Sequence, residues 1–135
     1  MKKSIKVVFI FVVILSIFCV VLTSCSAQDY KHRLENKGYV VYYYDKYAEG
    51  VPLIWSTMIA AGLEKDESDW TMFAYDAAKG ETIVMIVRFK KKKSAQKYYD
   101  YLYKNRIDSD NVETVIMKNR DVIFGSEKGV QDAKG

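Results

Sequence analysis

Past residue 25 the chain has no cysteine, and both of its cysteines, Cys19 and Cys25, lie in or beside one apolar run near the start. The remaining 110 residues therefore cannot form an intramolecular disulfide, and the folded body must hold by packing. Histidine is nearly as scarce. His32 stands alone, which leaves no histidine pair for a metal and no spare partner for a Ser-His or Cys-His nucleophile, so it reads as a solvated side chain. There is no P-loop, no G-x-G-x-x-G and no G-x-S-x-G. The acidic stretches "EKDESD" (64–69) and "DSDN" (108–111) lack the glycine that a calcium loop needs at its sharp turn, and both read as solvated connections. Internal repeats and low-complexity tracts are missing too. No catalytic residue and no metal site is expected, and the first reading is a non-enzymatic protein.

One sign of charge is also missing locally: no acidic residue precedes Cys25, whereas Lys2, Lys3 and Lys6 do. Those three lysines account for most of the net charge of +4, since without them 18 basic residues face 17 acidic ones. The body is nearly neutral, so basic character must be judged patch by patch.

After Lys6 comes Val7 to Leu22, apolar except for Ser16, followed by Thr23, Ser24 and Cys25. A basic start and an apolar core of this kind read as the n-region and h-region of a secretory signal, although the length lies between that of a cleaved signal and a spanning helix. The lysines hold the start in the cytoplasm and send the body across the membrane.

The tetrapeptide Leu22-Thr23-Ser24-Cys25 resembles the lipobox of bacterial lipoproteins. The resemblance implies that the Cys25 thiol takes a diacylglyceryl group, that the chain is cut between Ser24 and Cys25, and that Cys25 becomes the first mature residue. It also implies attachment to the bacterial cell membrane by acyl chains such as palmitate, with the domain on the extracytoplasmic side. The residue types suit the chemistry: a thiol is the strongest neutral nucleophile for alkylation, and two or three acyl chains anchor stably where one does not. The alternative is an uncleaved signal anchor in which Cys25 merely marks the membrane boundary. The expected organisation is a signal peptide over 1–24, a tether or short helix over 25–37, and a small α+β domain over 38–135. The 111 residues from Cys25 onward suffice for one core without staples.

"SAQDYKHRLENKG" (26–38) predicts a short helix ending at Gly38, with Tyr30 and Leu34 as a weak apolar stripe. "YVVYYYD" (39–45) is a strand by composition. Pro52 and Gly62 bracket a helix whose apolar face is Val51, Ile54, Trp55, Met58, Ile59 and Ala61. "WTMFAYD" (70–76) and "TIVMIVRF" (82–89) predict two strands turning at Gly80, the second buried on both faces at the centre of a sheet. Ala95, Tyr98, Tyr99 and Leu102 fall at helical spacing in "KKKKSAQKYYDYLYKNR". Residues 111–125 predict a hairpin turning at Asn119-Arg120, and Ser126 caps a last short helix.

This order resembles the ferredoxin-like βαββαβ sandwich, with an added C-terminal strand and flanking helices. The alternative is a cystatin-like helix clasped by a curved antiparallel sheet.

One stretch departs from the neutral background. Between residues 88 and 106 lie Arg88, Lys90, Lys91, Lys92, Lys93, Lys97, Lys104 and Arg106, against Asp100 alone. Lysines at a helix start also oppose its macrodipole, and broken local rules gather at functional sites. Lys90, Lys91, Lys92, Lys93 and Lys97 are the candidate anion contacts. For an exported domain the anions within reach are anionic lipid, wall polymer or an acidic envelope protein, and export disfavours nucleic acid despite the interleaved aromatics. The bland alternative is a solvated face offset by the acidic residues 64–69. No cofactor is expected beyond the covalent lipid on Cys25. Two other functions remain open: a small envelope enzyme using the acidic loop, and an accessory subunit docking through an exposed sheet. The tyrosines (Tyr39, Tyr42, Tyr43, Tyr44, Tyr47, Tyr98, Tyr99, Tyr101 and Tyr103) should divide about evenly between core and surface, because alternate strand residues face opposite ways.

Overall fold

The computed structural model describes residues 26–45, 50–106 and 112–135. The expected signal segment, Ser24, Cys25, Tyr47 and "DSDN" lie outside the described residues. The chain divides into two compact units, residues 1–30 and 31–135.

Of the first unit only the opening of helix α1 (Ala27–Asn36) is described. Ser26 caps it reciprocally: its Oγ accepts from Asp29 N at 3.2 Å, and Asp29 Oδ2 accepts from Ser26 N at 2.8 Å.

The second unit is α+β, in the expected βαββαβ order with an added C-terminal strand and flanking helices. Its elements after α1 are β1 (Tyr39–Tyr44), α2 (Pro52–Ala60), a 3₁₀ turn (Lys65–Glu67), β2 (Ser68–Asp76), β3 (Ile83–Phe89), α3 (Lys92–Asn105), β4 (Thr114–Lys118), β5 (Asp121–Gly125) and α4 (Glu127–Lys134). The five strands form one antiparallel sheet in the order β1-β2-β3-β5-β4. Each strand of this sheet presents alternate residues to opposite faces.

Strand β3 is central because it has no polar face to offer water. Met85, Val87 and Phe89 point to one side, and Val84 and Ile86 to the other; all five are buried. On the first side α2 and α3 supply Ile54, Met58, Ala95, Tyr98 and Leu102. Tyr98 is the hub: its ring lies 5.5 Å from Phe89 and 5.7 Å from Phe124, and its hydroxyl is 2.7 Å from Thr57 Oγ1, which ties α3 to α2. Burial pushes that phenol's pKa well above the ordinary tyrosine value. On the other side α4 lies over β3 and β5, with Val130 and Ala133 buried.

The helix expected at 51–62 is shorter, and its apolar face narrower. Ile54 and Met58 are buried, Trp55 and Ala61 are half-buried, and Ile59 is 53% exposed, because one helical stripe meets the core and Ile59 lies off it.

The segment expected as tether or short helix is tied down at its C-terminal end. Leu34 is buried, the Arg33 guanidinium donates to the Ala133 carbonyl at 2.5 Å, and Lys37 lies 3.6 Å from Asp132. Tyr39 also donates to Asp132, at 2.7 Å. Burial pushes the Asp132 carboxyl up, but hydrogen bonds from Lys128 and Tyr39, with the charges of Lys128 and Lys37, outweigh it and hold its pKa below the ordinary range. A carboxyl depressed on folding contributes stability that is complete above its unfolded pKa of about 4 and is lost as pH falls through the folded value. Urea unfolding should therefore show wild type more stable than Asp132→Asn at about pH 6, with the gap closing on acidification. A gap independent of pH would mean that this clasp carries no charge.

Candidate functional site

The N-terminus of α3 has no acidic residue in its first turn, and its capping position is Lys91, whose side chain makes no cap hydrogen bond. The helix is stabilised from outside. The 3₁₀ turn brings Glu67 against it: Glu67 Oε1 accepts from Ser94 Oγ at 3.0 Å, and the Glu67 carbonyl accepts from Lys90 N at 2.9 Å. The other carboxylate oxygen accepts from Glu64 N at 2.6 Å. A negative charge thus stands where the macrodipole is positive, and it offsets the lysines that oppose it.

The acidic connection and the basic stretch, separated in sequence by two strands, therefore share one cleft. It holds about 240 Å³ and is lined by Asp66, Glu67, Lys90, Lys91 and Ser94. Asp69 lies 3.8 Å from Arg120, whose guanidinium also donates to the Lys90 carbonyl at 3.2 Å. Glu67 and Asp69 are occupied in this way, while Glu64 and Asp66 are exposed. Among the described residues no group of three or more His, Cys, Asp and Glu can hold a metal ion. His32 is exposed on α1.

Lys90, Lys91, Lys92, Lys93 and Lys97 are all exposed. None of the first four is ion-paired among the described residues, and Lys97 donates to the Gly62 carbonyl at 3.3 Å. The rest of the stretch disperses. Arg106 stacks on Tyr103 with 3.7 Å between guanidinium carbon and ring centre, and Arg88 leaves the cluster altogether. Its strand turns it into the sheet, where Nε and Nη2 hold both oxygens of Asp121 at 2.6 and 2.8 Å, and its guanidinium lies 5.2 Å from the centre of the Trp70 ring.

Sequence reasoning missed that pair, although Arg88 is the single charge in the apolar run 83–89 and Asp121 the single charge of β5. It also left open which tyrosines are exposed. Tyr39 and Tyr98 are core, whereas Tyr42 is 45% exposed and meets Phe73 and Tyr75, each with ring centres 6.3 Å away. This aromatic cluster lies beside the β1 edge of the sheet.

No protein-family model matches the chain, and neither the curated proteins nor the solved structures compared with it include a match. No helix among the described residues is long and apolar enough to cross a membrane.

Proposed function

We propose that the chain is a lipid-anchored bacterial lipoprotein. In this reading it is acylated at Cys25 after loss of residues 1–24, and its non-enzymatic domain binds an anionic envelope component on the extracytoplasmic side through Lys90 to Lys93 and Lys97. One observation supports this surface above others: among the described residues the ammonium groups of Lys90 to Lys93 stay exposed and make no ion pair, although Asp66 and Glu67 line the same cleft and the Glu67 carboxylate is held by Ser94 and the Glu64 N–H. The anchor rests on the lipobox-like tetrapeptide.

Mass spectrometry of membrane-extracted protein is expected to find an acylated Cys25 as residue one; an intact Met1–Ser24 segment there refutes cleavage. For the surface, changing Lys90, Lys91, Lys92 and Lys93 together to Gln should weaken binding to anionic vesicles or wall polymer at low salt on the order of a hundredfold or more, at about 1 kcal/mol per lysine. Unchanged binding to both sinks the basic surface. A second reading, an accessory subunit docking through its sheet, is supported by the exposed Tyr42, which lies against half-buried Phe73 and Tyr75. It gains if Tyr42→Ser abolishes a cellular phenotype that the lysine changes spare.

A further inference from the structure

Helix α2 breaks a rule for surface helices. Residues 50–63 contain no charged side chain, in a chain that is 28% charged. An amphipathic surface helix buries one stripe and turns polar residues outward; a helix apolar all round is normally enclosed. Here Ile54 and Met58 fill the core, while Trp55 and Ile59, also four apart, form a second stripe with Trp55 half-buried and Ile59 exposed. This stripe borders an open groove of about 480 Å³, lined by Trp55, Ile59, Leu63, Glu64, Lys65 and Asp66.

Cations frame the stripe. The Lys65 ammonium lies 4.8 Å from the centre of the Trp55 ring. Lys97, reaching Gly62, brings the charge of α3 to the end of α2, and Lys93 precedes it by one turn on the same helix face. A tryptophan and an aliphatic residue edged by lysines is the pattern of an interfacial anchor: the apolar groups enter the boundary between headgroups and acyl chains, and the ammonium groups meet lipid phosphate.

We propose that the Trp55–Ile59 face of α2, framed by Lys65, Lys93 and Lys97, docks onto the surface of an anionic phospholipid bilayer. This rests on the reading of the lysine cluster as an anion contact and names the anion as lipid. Charge complementarity favours the bilayer, and the uncharged helix separates it from wall polymer, which offers anions but no apolar phase for Ile59. Glu64 and Asp66 bound the face on the side of the 3₁₀ turn and repel headgroups there, so the domain tilts onto Ile59 and Lys97.

The test uses the full chain reconstituted into vesicles, with Trp55 as reporter and Trp55→Phe to subtract the signal of Trp70. In vesicles containing phosphatidylglycerol with brominated acyl chains, Trp55 emission is expected to be quenched. Lys97→Gln should shift the docking equilibrium roughly fivefold toward the undocked state, and Ile59→Glu should abolish the quenching. Ile59 is exposed, so that variant keeps the fold, which an unchanged Tm verifies. Trp55 unquenched in anionic vesicles, or quenched equally in Ile59→Glu, overturns the proposal. So does pairing of chains in detergent that Ile59→Glu abolishes while Trp55 stays unquenched, because a second copy then covers the face. If the quadruple lysine variant loses wall-polymer binding while Trp55 stays unquenched, the basic surface survives and lipid docking falls. If Trp55 is quenched but the quadruple variant binds anions like wild type, the insertion of the Trp55–Ile59 face stands, while the basic surface and the part given to Lys93 fall.

Discussion

Replacing Asp121 with alanine is expected to lower the unfolding free energy by about 3–5 kcal/mol, measured by urea denaturation at neutral pH. The size follows from what would be left behind. Asp121 is 4% and Arg88 18% exposed in side chain, and the two face each other across the β3–β5 ladder with both carboxylate oxygens engaged. Removing the carboxylate takes its bidentate counter-ion from a largely buried guanidinium that lies against the Trp70 ring, where water cannot fully reach it. A typical domain has about 5–15 kcal/mol in all, so the variant should be partly unfolded under mild stress. Changing both partners, Arg88→Met with Asp121→Leu, should recover most of the loss, because neither charge then needs compensation. A cost below about 1 kcal/mol for Asp121→Ala would place the pair among exposed salt bridges.

Gly125→Ala should be comparably damaging, for a different reason. Its φ of +142° is closed to ordinary side chains, and a Cβ there would lie 2.5 Å from the Ile83 carbonyl and 3.0 Å from Val84 Cα. Neither neighbour can retreat, because Ser126 fastens the same spot. Its N–H and Oγ donate to the Ile83 carbonyl at 2.9 and 2.8 Å, and Oγ accepts from Ile83 N at 3.1 Å. Oγ also accepts from Gly129 N, capping α4. Gly129 stands equally close to the Ile83 carbonyl, with a Cβ placed at 2.5 Å. Strain and overpacking together should cost on the order of 3 kcal/mol or more, and lower Tm by roughly 10 °C or more. A Tm within about 2 °C of wild type would mean that β5 and α4 do not meet β3 at Ile83.

The features legible in the sequence were those fixed by neighbours within a few residues. The spacing of Ala95, Tyr98 and Leu102 predicts the buried stripe of α3, and Asn119, at φ 57°, turns the hairpin where a turn residue was expected. The run Ile83–Phe89 has no polar face, which places it centrally in any sheet. Ser126 caps α4 because its hydroxyl needs only the N–H three residues on. What escaped depends on partners distant in sequence. Arg88 belonged to the basic stretch by position, and only the pairing of β3 with β5 shows that it faces Asp121. Glu67 looked like part of a solvated loop until α3 was placed against it. Strand neighbours were equally out of reach: element order does not say that β1 lies beside β2, or that β5 separates β3 from β4. The clasp of Arg33 and Lys37 on α4 links residues about a hundred positions apart.

The sheet order also bears on how the chain acquires its structure. Pairings of β1 with β2, β2 with β3, and β4 with β5 join strands consecutive along the chain, whereas β3 with β5 does not. Closing that seam must await the last strand and then carries the largest entropic cost of loop closure. Until residues 121–125 arrive, one edge of Ile83–Phe89 is open, and that is the most apolar strand and the one best suited to pair with the wrong chain. A truncation that spares Lys90 to Lys93 and Lys97 but ends before Asp121 would leave this segment in an aggregation-prone form. The short C-terminal strand thus acts as a cover for nascent and incomplete chains, quite apart from what it contributes to the finished domain.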